Sequence, residues 1–221
     1  MIRNFTLIFI FFFLFVGCQN ITIKEKSIVF NAQRDSLTLE YMRERYQIQS
    51  ESPYIEPRMV VLHWTVYETF EESFAAFENT TLPDWRPDIE SVSGLNVSSQ
   101  FLVDRDGTIY GLMPEAYMAR HVIGLNHCAI GVENVGGTEN APLTKAQLKS
   151  NIQLVKYLAK KYPIEYLIGH YEYTQFEGHP LWLEVDDGYR TEKTDPGADF
   201  MSAVRDATQS FNFKPVPNSD K

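Results

Sequence analysis

The chain has 221 residues, with 20 Lys and Arg against 29 Asp and Glu, 5 His and 2 Cys. That length suits one domain whose core needs no disulfide framework, and hydrophobic and charged fractions of 44% and 22% exclude a mainly disordered chain. The formal net charge of −9 argues against a phosphate-backbone partner, so no nucleic acid is expected, and two cysteines are too few for a cysteine-rich zinc site.

Residues 1–17 open with Arg3 and continue into the apolar run Phe5–Val16, interrupted only by Thr6. Twelve residues are too few to span a bilayer, which takes about 20, but they suit the apolar stretch of a secretory signal. The run ends in Phe15-Val16-Gly17-Cys18, which resembles a bacterial lipobox with Phe15 in place of the usual Leu. Cys18 is therefore expected to carry lipid and to become the first residue of the mature protein. Cys128 then has no intrachain disulfide partner and reads as a small buried apolar residue.

Residues 18–57 read as a tether and N-terminal extension, polar to about residue 35, with a short helix over 37–46 that aligns Leu39, Met42 and Tyr46. Pro53 and Pro57 mark a loop. Met59-Val60-Val61-Leu62 predicts a buried strand delivering His63-Trp64-Thr65 at its C-terminal end. Thr69 and Glu72 form a capping box ahead of Phe70, Phe74 and Phe77 at helical spacing.

A polar loop follows to about residue 97. Gln100–Val103 and Thr108–Leu112 predict strands joined by the Asp106-Gly107 turn. Ala129–Val135 is a further apolar strand, carrying Glu133. Thr144 and Gln147 form a second capping box before Leu148, Ile152, Val155 and Ala159, and Lys160-Lys161 complements the dipole at that helix's C-terminus. Ile164–Ile168 is a short strand leading to Gly169-His170, a last helix covers about 198–209, and 210–221 reads as a loose tail. With no internal repeat, alternating strands and helices predict an α/β fold, a central mixed β-sheet flanked by helices, over 58–209.

Three side chains stand out as ligands. His63 and His170 each end a strand, and Asp195 precedes the last helix in KTDPG. Two imidazoles and a carboxylate suit a catalytic zinc with an open fourth position, and the same set also suits non-haem iron. Glu133 has two readings of equal weight. It is either a buried carboxyl whose pKa is raised for general acid–base work or an outward-facing residue of an alternating strand.

Six motifs, VVLHWT, QFLVDRDGTIYGL, ARHVIGLN, AIGVEN, IGH and KTDPG, run in the order found in type 2 N-acetylmuramoyl-L-alanine amidases, and the chain resembles that family over about residues 58–205. The family is similar to the peptidoglycan-recognition proteins. The resemblance implies one Zn2+ held by His63, His170 and Asp195, with Glu133 as catalytic acid and base and Lys193 stabilising the tetrahedral intermediate. It also implies substrate contacts at His121, Asn126 and Trp64. The expected reaction is hydrolysis of the amide between N-acetylmuramic acid and L-alanine of the stem peptide, in cell-wall turnover.

The 25-residue interval from His170 to Asp195 exceeds the family's usual spacing, so 171–193 reads as an insertion that walls the groove. It contains His179, a rival to His170 as ligand. Gln100 stands where many members have a His. The whole describes a monomeric, lipid-anchored enzyme acting on peptidoglycan at the periplasmic face of the outer membrane. A non-catalytic peptidoglycan-binding module and a lytic effector against competitors are the alternatives.

Overall fold

The computed structural model describes residues 21–83 and 92–217. The expected signal segment 1–17, the expected lipidation site Cys18 and the last four residues of the tail lie outside them.

Six strands form one sheet. They are β1 (Ile23–Glu25), β2 (Met59–Leu62), β3 (Phe101–Val103), β4 (Ile109–Gly111), β5 (Ala129–Asn134) and β6 (Tyr166–Gly169), in the order β1-β4-β3-β5-β2-β6. Only β3 and β4 pair antiparallel. Their connection is the Asp106-Gly107 turn, where Gly107 takes φ +86 and a Cβ would lie 2.9 Å from the Ala146 carbonyl oxygen, so glycine is required there. The central strands β2 and β5 are buried along their whole length, as expected of parallel strands covered on both faces.

The helices are α1 (Ala32–Tyr46), α2 (Phe70–Glu78), α3 (Lys145–Lys161) and α4 (Ala198–Thr208). Both helix starts read from the sequence hold, with Thr69 accepting from the Glu72 amide and Thr144 from the Gln147 amide. Only Thr144–Gln147 closes a reciprocal capping box, since Glu72 accepts from the Thr69 hydroxyl instead of its backbone amide. No described helix is long and apolar enough to cross a membrane. On one face of the sheet, Leu154, Val155 and Leu158 of α3 and Met201 and Val204 of α4 pack on Val60, Leu62, Ile130, Val132 and Leu167. On the other, Met59, Val61, Ala129 and Ile168 lie under Val122, Leu125, Tyr173 and Phe176.

Two readings of the chain ends are corrected. The polar stretch before residue 35 contains β1, an edge strand paired with β4, and α1 starts five residues earlier than the periodicity suggested. Periodicity misses this start because Arg34, a charged residue, is fully buried there. Its guanidinium donates to the carbonyl oxygens of Val29 (2.6 Å) and of Asn79 (2.8 Å), the latter at the C-terminal end of α2. The tail, read as loose from residue 210, is docked in its described part, with Phe213 packed against the core and the Lys214 amide donating to the Glu165 carbonyl at 2.8 Å.

Candidate metal centre and catalytic cleft

Strand register sets out the site. Leu62 is paired with Val132 on one side and Gly169 on the other, so the next residues along, Glu133, His63 and His170, stand in one row across β5, β2 and β6. Side chains alternate along a strand. Leu62, Val132 and Leu167 face α3 and α4, so all three residues of the row project from the opposite face, at the C-terminal ends of parallel strands.

Asp195 comes to this row from the loop before α4. Its carbonyl accepts the Tyr171 amide at 3.1 Å, which ties the loop to the residue after His170. Glu172 fixes the same corner. It accepts from the Gly169 amide at 2.8 Å and from Arg205 of α4 at 2.5 Å.

The three candidate ligand atoms form a nearly equilateral triangle. His63 Nδ1 and His170 Nδ1 are 3.0 Å apart, and the Asp195 Oδ2 lies 3.2 Å from the first and 3.0 Å from the second. Ligand atoms bound about 2.0–2.1 Å from one zinc at the tetrahedral angle lie about 3.3 Å from each other, so the triangle matches three corners of such a site. All three residues are buried.

The protonation states suit a cation as well. Burial opposes ionisation of Asp195, but the neighbouring His170 and His63 rings outweigh it and hold the carboxyl far below the ordinary range. Burial, reinforced by the neighbouring His63, lowers His170 to about 4. A carboxylate beside a neutral imidazole is the protonation state in which these groups bind a metal. By both geometry and donor chemistry the trio fits zinc.

The trio opens onto a cleft of about 230 Å³, also lined by Trp64, His121, Glu133 and Lys193. Glu133 is buried there and does not face outward as on an alternating surface strand. Lys193 is near enough for its charge to contribute to the lowering of the His170 pKa. Trp64 lies against Gly137, where an added Cβ would come within 2.3 Å of the indole.

Several expectations are revised. His179 is not part of the trio. Its Nε2 faces the Tyr166 hydroxyl at 3.2 Å and its Nδ1 accepts the Leu181 amide at 3.2 Å, so the ring is engaged away from the cleft. Asn126 does not reach the cleft. It is fully buried, its Oδ1 accepting the amides of His121 and Val122, both at 2.8 Å. The segment 171–193 does not wall the groove with its aromatic residues. Tyr173, Phe176 and Leu181 are core, and among the described residues of the segment only Lys193 lines the cleft. Gln100 is structural, bonding the Tyr117 carbonyl (2.8 Å) and the Gly131 amide (2.7 Å).

Arg120 and Val66 are among the cleft residues that escaped the sequence reading. Arg120 lines the cleft from a buried position and donates to the Ser93 and Leu95 carbonyls. It lies within ARHVIGLN, the only signal that marked it. Val66 is 57% exposed at the cleft and has φ +60, which no sequence signal announces in a β-branched residue.

Residues 53–198 match the family described as N-acetylmuramoyl-L-alanine amidase. Over 83 residues the chain is 36% identical to the endolysin of Escherichia phage T7 and 35% identical to that of Enterobacteria phage T3. Each alignment covers 35% of this chain and 55% of the phage protein, so the chain spans about half the length of the curated relatives it matches. Among solved structures, the N-acetylmuramoyl-L-alanine amidase LysC from Clostridium intestinale URNW superposes with a TM-score of 0.52 at 22% identity, covering 88% of this chain and 100% of that one. At that identity the likeness is one of fold.

Proposed function

Because the chain belongs to the N-acetylmuramoyl-L-alanine amidase family, we propose that it is a zinc-dependent hydrolase of the amide between N-acetylmuramic acid and L-alanine in peptidoglycan. One observation carries this reading. The His63–His170–Asp195 triangle opens onto the same cleft as Glu133 and Lys193.

When bound, zinc supplies a Lewis acid that polarises the amide carbonyl and lowers the pKa of water. The residues around it divide the remaining work. Glu133 takes the proton of the attacking water and returns it to the departing L-alanine amine. Lys193 presents a positive charge where the carbonyl oxygen becomes anionic. Trp64 and His121 line the same cleft.

Cell-wall turnover from a lipid anchor is the role we favour, with Cys18 lipidated and the protein on the periplasmic face of the outer membrane. β1 starts at Ile23, five residues past Cys18. At about 3.3–3.6 Å per residue the anchor then lies within roughly 18 Å of the sheet edge, so the domain works close to the membrane. Fractionation of the Cys18→Ala variant tests this, because a variant that remains in the membrane fraction contradicts lipidation at Cys18.

The activity is tested on purified peptidoglycan. New L-alanine amino termini should appear, stop with a zinc chelator and return with zinc. Binding without release in full zinc would replace hydrolysis with recognition.

A further inference from the structure

His63 uses both ring nitrogens. Its Nδ1 faces His170 and Asp195, and its Nε2 lies 3.0 Å from Nδ1 of His121. The second nitrogen of His121, Nε2, lies 3.3 Å from the backbone carbonyl oxygen of Ala129. A carbonyl oxygen only accepts, so the proton of a neutral His121 sits on Nε2 and its Nδ1 carries a lone pair. The contact between the rings then needs the His63 proton on Nε2. A neutral imidazole protonated at Nε2 has its lone pair on Nδ1, the atom that faces His170 and Asp195. One backbone carbonyl therefore orients two histidines in series.

The surroundings hold this arrangement. Asn126 accepts the backbone amides of His121 and Val122, and its own amide donates to the Tyr46 hydroxyl on α1 at 2.8 Å. Residue 131 of β5 is glycine, and a Cβ there would lie 2.8 Å from Cγ of His121, so the ring rests directly on the strand. The two imidazoles meet edge to face, with centroids 5.1 Å apart and planes at 90°.

We propose that His121 is a positioning residue that holds His63 as its Nε2–H tautomer and so aims the Nδ1 lone pair at the metal position. This rests on the zinc assignment of the preceding section. It differs from the substrate-contact role expected for His121, because both ring nitrogens are already committed within the protein. Partners of this kind behind a ligating imidazole change metal affinity by about 10–100-fold when removed.

The test is zinc affinity of the full chain, measured by competition with a chromophoric chelator, on His121→Ala, His121→Asn and Gly131→Ala. His121→Ala should bind zinc about 10–100-fold more weakly. His121→Asn keeps an acceptor near the place of Nδ1 and should recover most of the loss. Gly131→Ala retains the histidine but displaces its ring, and should fall in between. Long-range 1H–15N correlation spectra of the zinc-loaded wild type should find His63 protonated at Nε2.

Wild-type affinity in His121→Ala overturns the proposal, and so does a His63 proton on Nδ1. Equal losses in the Ala and Asn variants also overturn it, because the acceptor would then be irrelevant. If His121→Ala does not fold, the Asn and Gly131 variants decide. A wild-type protein that binds no zinc would instead refute the zinc assignment itself, a distinct result.

Discussion

Arg45, in the last turn of α1, donates to Glu184 Oε1 at 2.6 Å across 139 positions of sequence. The side chains are 13% and 0% exposed, and the Val185 amide also donates to the Arg45 carbonyl at 3.2 Å. The N-terminal extension and the 171–193 segment are thus fastened to each other, and neither residue of the pair lines the cleft. Removing one partner of a buried pair leaves an uncompensated charge, at a cost of about 3–5 kcal/mol. Arg45→Ala should lower stability to urea on that scale and leave zinc content unchanged. Replacing both residues with apolar ones should recover most of the loss, and a single variant as stable as wild type would refute the coupling.

Glu133→Gln keeps the shape of the carboxyl and removes its proton-accepting capacity. Zinc stoichiometry should stay at the wild-type value, while release of L-alanine termini slows about 10²–10⁴-fold. Turnover close to wild type would take Glu133 out of the mechanism.

Val66 has φ +60, and its amide donates to the Gly136 carbonyl at 2.9 Å. A left-handed backbone costs a residue with a Cβ roughly 1–2 kcal/mol, and glycine escapes that cost but loses more chain entropy on folding, by roughly 0.5–1 kcal/mol. Val66→Gly should therefore be more stable by about 0.5–1 kcal/mol in denaturant titration. Because Val66 lines the cleft, the same variant should show a raised KM for muropeptides. A destabilised variant would show that the side chain, not the backbone, dominates at this position.

His127 gives a pH dependence. Burial lowers it to about 4 from an ordinary 6.5, with nearby Arg58 adding to the effect. Between these values the unfolded chain binds the proton and the folded one does not, so stability falls as pH falls from about 6.5 to about 4. Each pH unit within that window is worth about 1.4 kcal/mol for one such group. Replacing His127 with Gln should flatten the stability profile of the metal-free protein in that interval. An unchanged slope would assign the acid sensitivity to other groups.

Much of the fold was legible because local signals agreed with one another. The apolar runs of β2, β5 and β6, the Asp106-Gly107 turn and the Thr69 and Thr144 N-caps each act over a few residues, so periodicity and turn chemistry reveal them. His63 and His170 were legible for the same reason, as polar residues at the ends of apolar strands, whereas the local pattern left Glu133 open between an inward and an outward position. β1 was missed because an edge strand of three residues is too short to establish an alternation. The start of α1 was missed because Arg34 is buried through carbonyls of a different helix, and nothing near it in sequence announces that.

Composition, apolar periodicity and motif order were enough to define an α/β domain and to nominate two imidazoles and a carboxylate as a metal site. They left His170 and His179 as rivals and put Asn126 in the groove. Only the folded chain separated these, because strand register and hydrogen bonds over long sequence separations bring His63 to His121, His170 and Asp195 while turning His179 toward Tyr166 and Asn126 toward Tyr46. Contacts across 58 to 132 positions depend on how strands align in space, which no local pattern encodes.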